Sequence, residues 1–102
     1  MAQFDVFRHP KSKRYPYLLD LQADLLCDLA TRIVAPVMPV TRLRGKPIGT
    51  LNPVIPVDGE PHIIVFQELA AFPASELRDA VASLRARRGE LIAAIDLLFT
   101  GI

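Results

Sequence analysis

Along most of the chain, apolar and polar residues alternate in short runs; near its end the pattern changes to a helical period. In Gln3–Arg8, Phe4 and Val6 fall on one side and Asp5 and Phe7 on the other, which predicts a strand. Tyr17–Gln22 predicts a second strand, with Tyr17, Leu19 and Leu21 sharing a face. Pro16 suits its start, where no ladder donor is needed. Arg32–Val40 predicts a third strand. Pro36 and Pro39 deny it a full ladder on one side, so it reads as an edge strand or one broken by a bulge. Residues 41–60 are rich in Pro and Gly and predict a projecting β wing, with a short strand at Val54–Val57 and a turn at Asp58-Gly59. His62–Gln67 is apolar almost throughout and predicts a central strand buried on both faces. Residues 68–73 read as a connection. Ala74–Ala82 fits either a helix or a turn followed by an extended stretch.

From Ser83 to Ile102 the period is helical. Leu84, Leu91, Ile92, Ile95, Leu98 and Phe99 form one stripe, with Ser83 as N-cap and Gly101 as the left-handed C-terminal residue. Leu97 lies off the stripe, with Ala86, Glu90 and Ala93, so the last turns are apolar on two faces. Two readings stay open: a core helix with one stray Leu, or a helix whose second face meets another chain. Upstream, adjacent Leu25 and Leu26 cannot both point inward from an extended segment, so one of them is expected at the surface. Together these elements predict a single domain over 1–102. Its class is α+β, mainly β: a small antiparallel barrel-like sheet with a β wing and a C-terminal α-helix.

Composition narrows the function classes. At 102 residues and 51% apolar, the chain can form a core and does not read as disordered. A net charge of +1 gives no global field toward nucleic acid or membrane. The single cysteine, Cys27, excludes an intrachain disulfide framework and fits a reducing cytoplasm. Asp5 interrupts any export signal, and no apolar run reaches the length of a membrane span. His9 and His62 are far apart and Cys27 has no neighbouring His, so no metal spacing is present, and no glycine-rich phosphate loop implies a cofactor. Asp20 and Asp24 are a weak candidate carboxylate pair. His62, opening an apolar strand, reads as structural. Arg85, Arg87 and Arg88 form the densest cationic group within an element, read either as a solvated turn or as a phosphate contact. The pattern suggests an interaction protein, not an enzyme.

The residues also carry a resemblance. The opening QFDVF, then RYPYLLDLQADLL, TRIVAPV and the closing AAIDLLFTGI resemble the CcdB toxins, gyrase poisons of bacterial toxin–antitoxin modules, nearly end to end. Asp20–Leu26 and the terminal Gly101-Ile102 are the most specific parts; the wing is the least. The resemblance implies a small homodimer that catalyses nothing, binds the A subunit of DNA gyrase and traps it on cleaved DNA. It implies a gyrase contact at Asp96, Phe99, Thr100, Gly101 and Ile102, near the dimer axis, with Leu25 and Leu26 beside them. It also implies a cognate antitoxin whose disordered tail wraps the toxin. Two positions depart from the family pattern. That pattern ends Phe-Trp-Gly-Ile, its Trp stacking on a basic gyrase side chain, where this chain has Thr100. Asp96 stands where a neutral amide is expected. Loss of an aromatic anchor costs about 2 kcal/mol or more at an interface.

Two placements complete the expectations. An acidic antitoxin tail is expected along Arg8, Lys11, Lys13 and Arg14, four positive charges within seven residues. The dimer axis is expected along the 32–40 strand and the end of the helix. The alternatives are a ribonuclease toxin of related fold, which would need an acid/base set built from His9, His62 and scattered arginines, and a detoxified homologue that only binds partners.

Overall fold

The computed structural model describes residues 2–102; Met1 lies outside the described residues. Seven strands form one antiparallel sheet: β1 (Asp5–Arg8), β2 (Tyr17–Asp20), β3 (Thr31–Pro39), β4 (Val54–Val57), β5 (Glu60–Ile64), β6 (Ala70–Pro73) and β7 (Ala82–Ser83). Their order is β4-β5-β3-β2-β1-β7, with β6 also paired to β3. The sheet curls into a nearly closed barrel-like shape, and, among the described residues, one α-helix, α1 (Arg88–Thr100), packs against its inner face. The predicted α+β, mainly β architecture is the one observed.

Period-2 alternation decides which side chains fill the barrel. Phe4, Val6, Tyr17, Leu19 and Leu21 join Ala35, Val37, Ile64 and Phe66 in the main core, which Leu84, Leu91 and Ala94 close from the helix side. The opposite face is also covered. Phe7, Leu18 and Val34 pack with Leu77 beneath the segment after β6, and Met38, Ile63 and Val65 pack beneath Tyr15, Val40 and Leu43. His62–Phe66 is therefore buried throughout, as the apolar run predicts, although β5 itself ends at Ile64. The His62 ring is held in place: its Nδ1 lies 2.9 Å from the Glu60 carbonyl and the ring is edge-on to Tyr17.

The third strand differs from expectation. β3 is the most paired strand in the sheet, not an edge. One side runs along β2, with Leu18 opposite Pro36 and Asp20 opposite Val34. Two strands share the other side: β6 pairs Thr31–Val34, and β5 pairs Val37–Pro39. Ala35 and Pro36 fall at the handover, where the chain leaves β5 and turns through Phe66–Glu68 before entering β6. There the Pro36 carbonyl accepts the Val65 N–H at 2.9 Å. The proline's missing donor thus coincides with a break between two partners. Residues 68–73, read as a connection, contain β6. That strand is short and mostly exposed, so it has no alternation to betray it.

The wing's strand stands as predicted. β4 and β5 join through Asp58-Gly59, both at positive φ (52° and 78°), the geometry of a two-residue hairpin turn. Pro56 faces Pro61, at the register position next to the turn pair where no ladder bond is required. Residues 74–82 follow the turn-plus-extended reading: a single 3-10 turn, Ala74–Glu76, leads to β7, which pairs with β1. Ser83 lies in β7 and does not cap α1; a 3-10 turn, Arg85–Arg87, intervenes.

Candidate docking surface and basic loop

Leu25 and Leu26 sit on a one-turn 3-10 helix, Asp24–Leu26, that buries none of its residues. Leu25 is 92% exposed and Leu26 47% exposed, with exposed Leu29 beyond them. The turn is fixed from below by Gln22. Its Nε2 donates to the carbonyls of Leu26 (3.0 Å) and Thr31 (3.3 Å), and its Oε1 accepts from Ile33 N (3.3 Å). Gln22 is held in turn by an ion pair. Asp20 Oδ1 accepts its N–H at 3.0 Å, and Arg32 donates to its carbonyl at 3.3 Å. Arg32 and Asp20 are both buried, joined through Nε and Nη2. Burial pushes the Asp20 carboxyl above its usual value, while hydrogen bonding and charge from Arg32 pull it down.

This network was not legible from the pattern. Asp20 does not pair with Asp24, as considered above. Asp24 accepts Gln3 N at 2.7 Å and lies 3.5 Å from Arg85. A pair twelve positions apart on neighbouring strands leaves no local spacing signal, although a carboxylate inside the run YLLD was a sign that a partner was required.

The end of α1 lies alongside. Leu91 and Ala94 are its buried positions, with Ile92, Ile95 and Leu98 packed against the core. Phe99, placed on the core stripe by its period, is instead 67% exposed, because the last turn runs past the core. Leu97 is half-buried and Asp96 exposed. Gly101 takes the predicted left-handed conformation at φ 77°, and its N–H donates to the Leu97 carbonyl at 3.0 Å. The Thr100 hydroxyl donates to the Asp96 carbonyl at 2.7 Å, so it is turned onto its own helix. Ile102 is 92% exposed.

Of the predicted site residues, Leu26 and Phe99 meet in one groove of about 310 Å³, whose other walls include Leu21, Ile33, Leu69 and Ile95. Its lining is almost wholly apolar. Leu25, Asp96, Thr100, Gly101 and Ile102 do not line it; they are exposed on the two segments that flank it. Ile33 and Leu69 were not foreseen: Ile33 shares the core-facing alternation of Ala35 and Val37, which cannot say where the core stops, and Leu69 lies between elements. A larger open cavity of about 630 Å³, between Gly49–Pro53 of the wing and Gly89–Ala93 of α1, holds none of the predicted residues.

The basic loop lies between β1 and β2. Arg8, Lys11, Lys13 and Arg14 are all exposed. Arg8 stands over the Tyr17 ring at 5.9 Å and Arg14 over Tyr15 at 5.4 Å. Lys11 pairs with Glu76 at 3.1 Å, and the Lys13 carbonyl accepts from Arg42. The three arginines before and at the start of α1 each have a neighbour. Arg85 reaches Asp24, Arg87 reaches Glu90 at 3.5 Å, and Arg88 reaches Gln3 and the Phe4 ring. That supports the solvated-turn reading. Among the described residues, no group of three His, Cys, Asp or Glu could hold a metal ion, and no helix is long and apolar enough to cross a membrane.

Comparison with known proteins agrees with this architecture. A crystal structure described as that of an Mtb toxin is similar at a TM-score of 0.68 over 95% of this chain and 99% of its own. Only 14% of residues are identical, so the likeness speaks to the fold alone. In sequence, residues 3–101 match the family described as CcdB protein. The chain therefore belongs to the CcdB family, as a toxin of the toxin–antitoxin type.

Proposed function

We propose that this protein is a homodimeric, cytoplasmic toxin that binds the A subunit of DNA gyrase and traps the enzyme on cleaved DNA. The observation that carries this reading is the apolar groove shared by Leu26 and Phe99, flanked by exposed Leu25 and Ile102. Apolar side chains clustered at one end of a molecule with net charge +1 support a protein-docking surface. Its contact residues are Leu25, Leu26, Asp96, Phe99, Thr100, Gly101 and Ile102. The action is non-catalytic: the protein contributes binding, and gyrase makes the break.

A cognate antitoxin neutralises it through an acidic disordered tail on Arg8, Lys11, Lys13 and Arg14. The exposure of all four cations supports that placement. The dimer axis of this proposal runs along the 32–40 strand and the end of α1; both edges of β3 are already paired, so side chains and not a free strand edge make that contact. The ribonuclease alternative draws no support from the histidines. His62 is buried, and one nitrogen of His9 is engaged with its own loop.

Thr100 favours a second reading, a homologue that binds partners without poisoning. Its hydroxyl is satisfied within α1, and it offers no aromatic face. Calorimetric titration of purified gyrase A subunit tests the proposal. The wild type is expected to bind at micromolar concentration or tighter, and Phe99→Ala to weaken it by roughly tenfold or more. A folded protein that gives no binding heat at tens of micromolar would end the gyrase reading. Expression in sensitive cells then separates toxin from relic: the toxin stops growth.

A further inference from the structure

His9 is the one residue of the basic loop whose ring is turned inward, and it ties the loop together. The His9 backbone N–H donates to the Pro16 carbonyl at 2.9 Å, closing the base of the loop. Its ring Nδ1 lies 3.1 Å from Lys11 N and 3.2 Å from Ser12 N, accepting two successive backbone N–H groups. Ser12 passes the order on, its Oγ accepting Tyr15 N at 3.1 Å. An imidazole nitrogen accepts only while unprotonated, so these two donors require the neutral tautomer with its proton on Nε2. The geometry is that of an Asx turn, with a ring nitrogen in place of the usual side-chain oxygen. The difference is chemical: imidazole titrates near neutral pH, and an amide oxygen does not.

The surroundings favour the neutral ring. It is half-buried, edge-on to Phe72 at 5.4 Å, and forms one wall of a cavity of about 180 Å³. Strands β2 and β3 give only apolar side chains to that wall. The charged and titratable groups near it are Lys11 on its own loop, Glu76 on the turn after β6, and Glu68 with Tyr15 across the cavity. Glu76 is engaged by Lys11 at 3.1 Å, and Glu68 accepts the Tyr15 hydroxyl at 2.9 Å. Burial lowers the His9 pKa most, Lys11 lowers it further, and Glu76 opposes them.

We propose that His9 is a proton-operated latch on the 8–14 loop. With Nδ1 free, the loop is fixed. With Nδ1 protonated, a third donor faces two N–H donors, the acceptor is lost, and the loop is released. A folded-state pKa below the unfolded value means that the latch contributes fully above the unfolded pKa. The contribution is lost as pH falls toward the folded value. Lys11 and Lys13 move with the loop, so its cationic array is preorganised only in the latched state. That consequence rests on the antitoxin reading; the latch itself does not.

Solvent-exchange NMR of the nitrogen-labelled full chain, from about pH 8 to about pH 5, tests it without any partner. At the upper end the His9 ring nitrogens should report the Nε2–H tautomer. Protection of the Lys11 and Ser12 amides should fall roughly tenfold in step with ring protonation. His9→Asn, which keeps an acceptor that cannot titrate, should hold that protection flat across the series. His9→Ala should lack it at every pH. A neutral ring protonated on Nδ1, protection indifferent to the ring's titration, or a fall in His9→Asn matching the wild type would each overturn the latch. Because only the free chain is observed, failure of the antitoxin reading leaves this result unaffected.

Discussion

Arg32 and Asp20 are a buried cation and a buried anion that satisfy each other and, through Gln22, hold the turn carrying Leu25 and Leu26. Removing one partner strands the other charge in the core. Arg32→Met is therefore expected to destabilise the fold by about 3–5 kcal/mol, read from the midpoint of urea unfolding. Exchanging both partners for apolar residues of similar volume should recover most of that loss. A single Arg32→Met change that leaves the midpoint within error would mean the pair is solvated in solution. At the docking end, Thr100 is the informative position. If gyrase presents a surface suited to an aromatic ring, Thr100→Trp should tighten binding by up to roughly thirtyfold, with thermal stability unchanged. Weaker binding would instead mean that Thr100 packs against a surface shaped for a small side chain.

Among the elements, α1 and the β1–β2 loop make separable predictions. The last two residues lie beyond α1, with Ile102 exposed and Gly101 contributing one hydrogen bond to Leu97. Deleting both is expected to cost only about 1 kcal/mol of stability and to abolish toxicity. An unfolded product would make these residues structural; a folded product that still arrests growth would remove them from the mechanism. For the loop, four exposed cations predict association with an acidic tail that slows as salt rises. Stopped-flow rates across a salt series read this directly, and a flat series would leave the loop without a steering role. What could be read from sequence differs between the elements. The end of α1 and the Leu25-Leu26 turn were visible because Gly101, the apolar stripe and the doubled leucine are local signals. Strand β6 and the partners of β3 were not, because Ala70–Pro73 is too short and exposed to alternate, and a missing proline donor does not reveal that two strands share one flank. The period also placed Phe99 in the core, since periodicity assigns a face but cannot say where the underlying sheet stops.

At the scale of the whole molecule, the groove beside the end of α1 gathers several uncovered apolar side chains, with Ile48 and Val54 exposed apart from it on the wing, and the β1–β2 loop gathers exposed cations. A dimer is expected from the first feature. Sedimentation at low micromolar concentration should give twice the chain mass, and a stable monomer would refute the two-fold arrangement. On the proposed reading, this surface converts gyrase from a resealing enzyme into a source of breaks. The most direct measurement is DNA cleavage by purified gyrase on supercoiled plasmid, with and without the protein and with the chain lacking Gly101-Ile102. Linear DNA bound covalently to gyrase should accumulate with the intact chain and disappear with the truncated one. Supercoiling that proceeds unchanged, with no linear product at micromolar concentrations of folded protein, would contradict it.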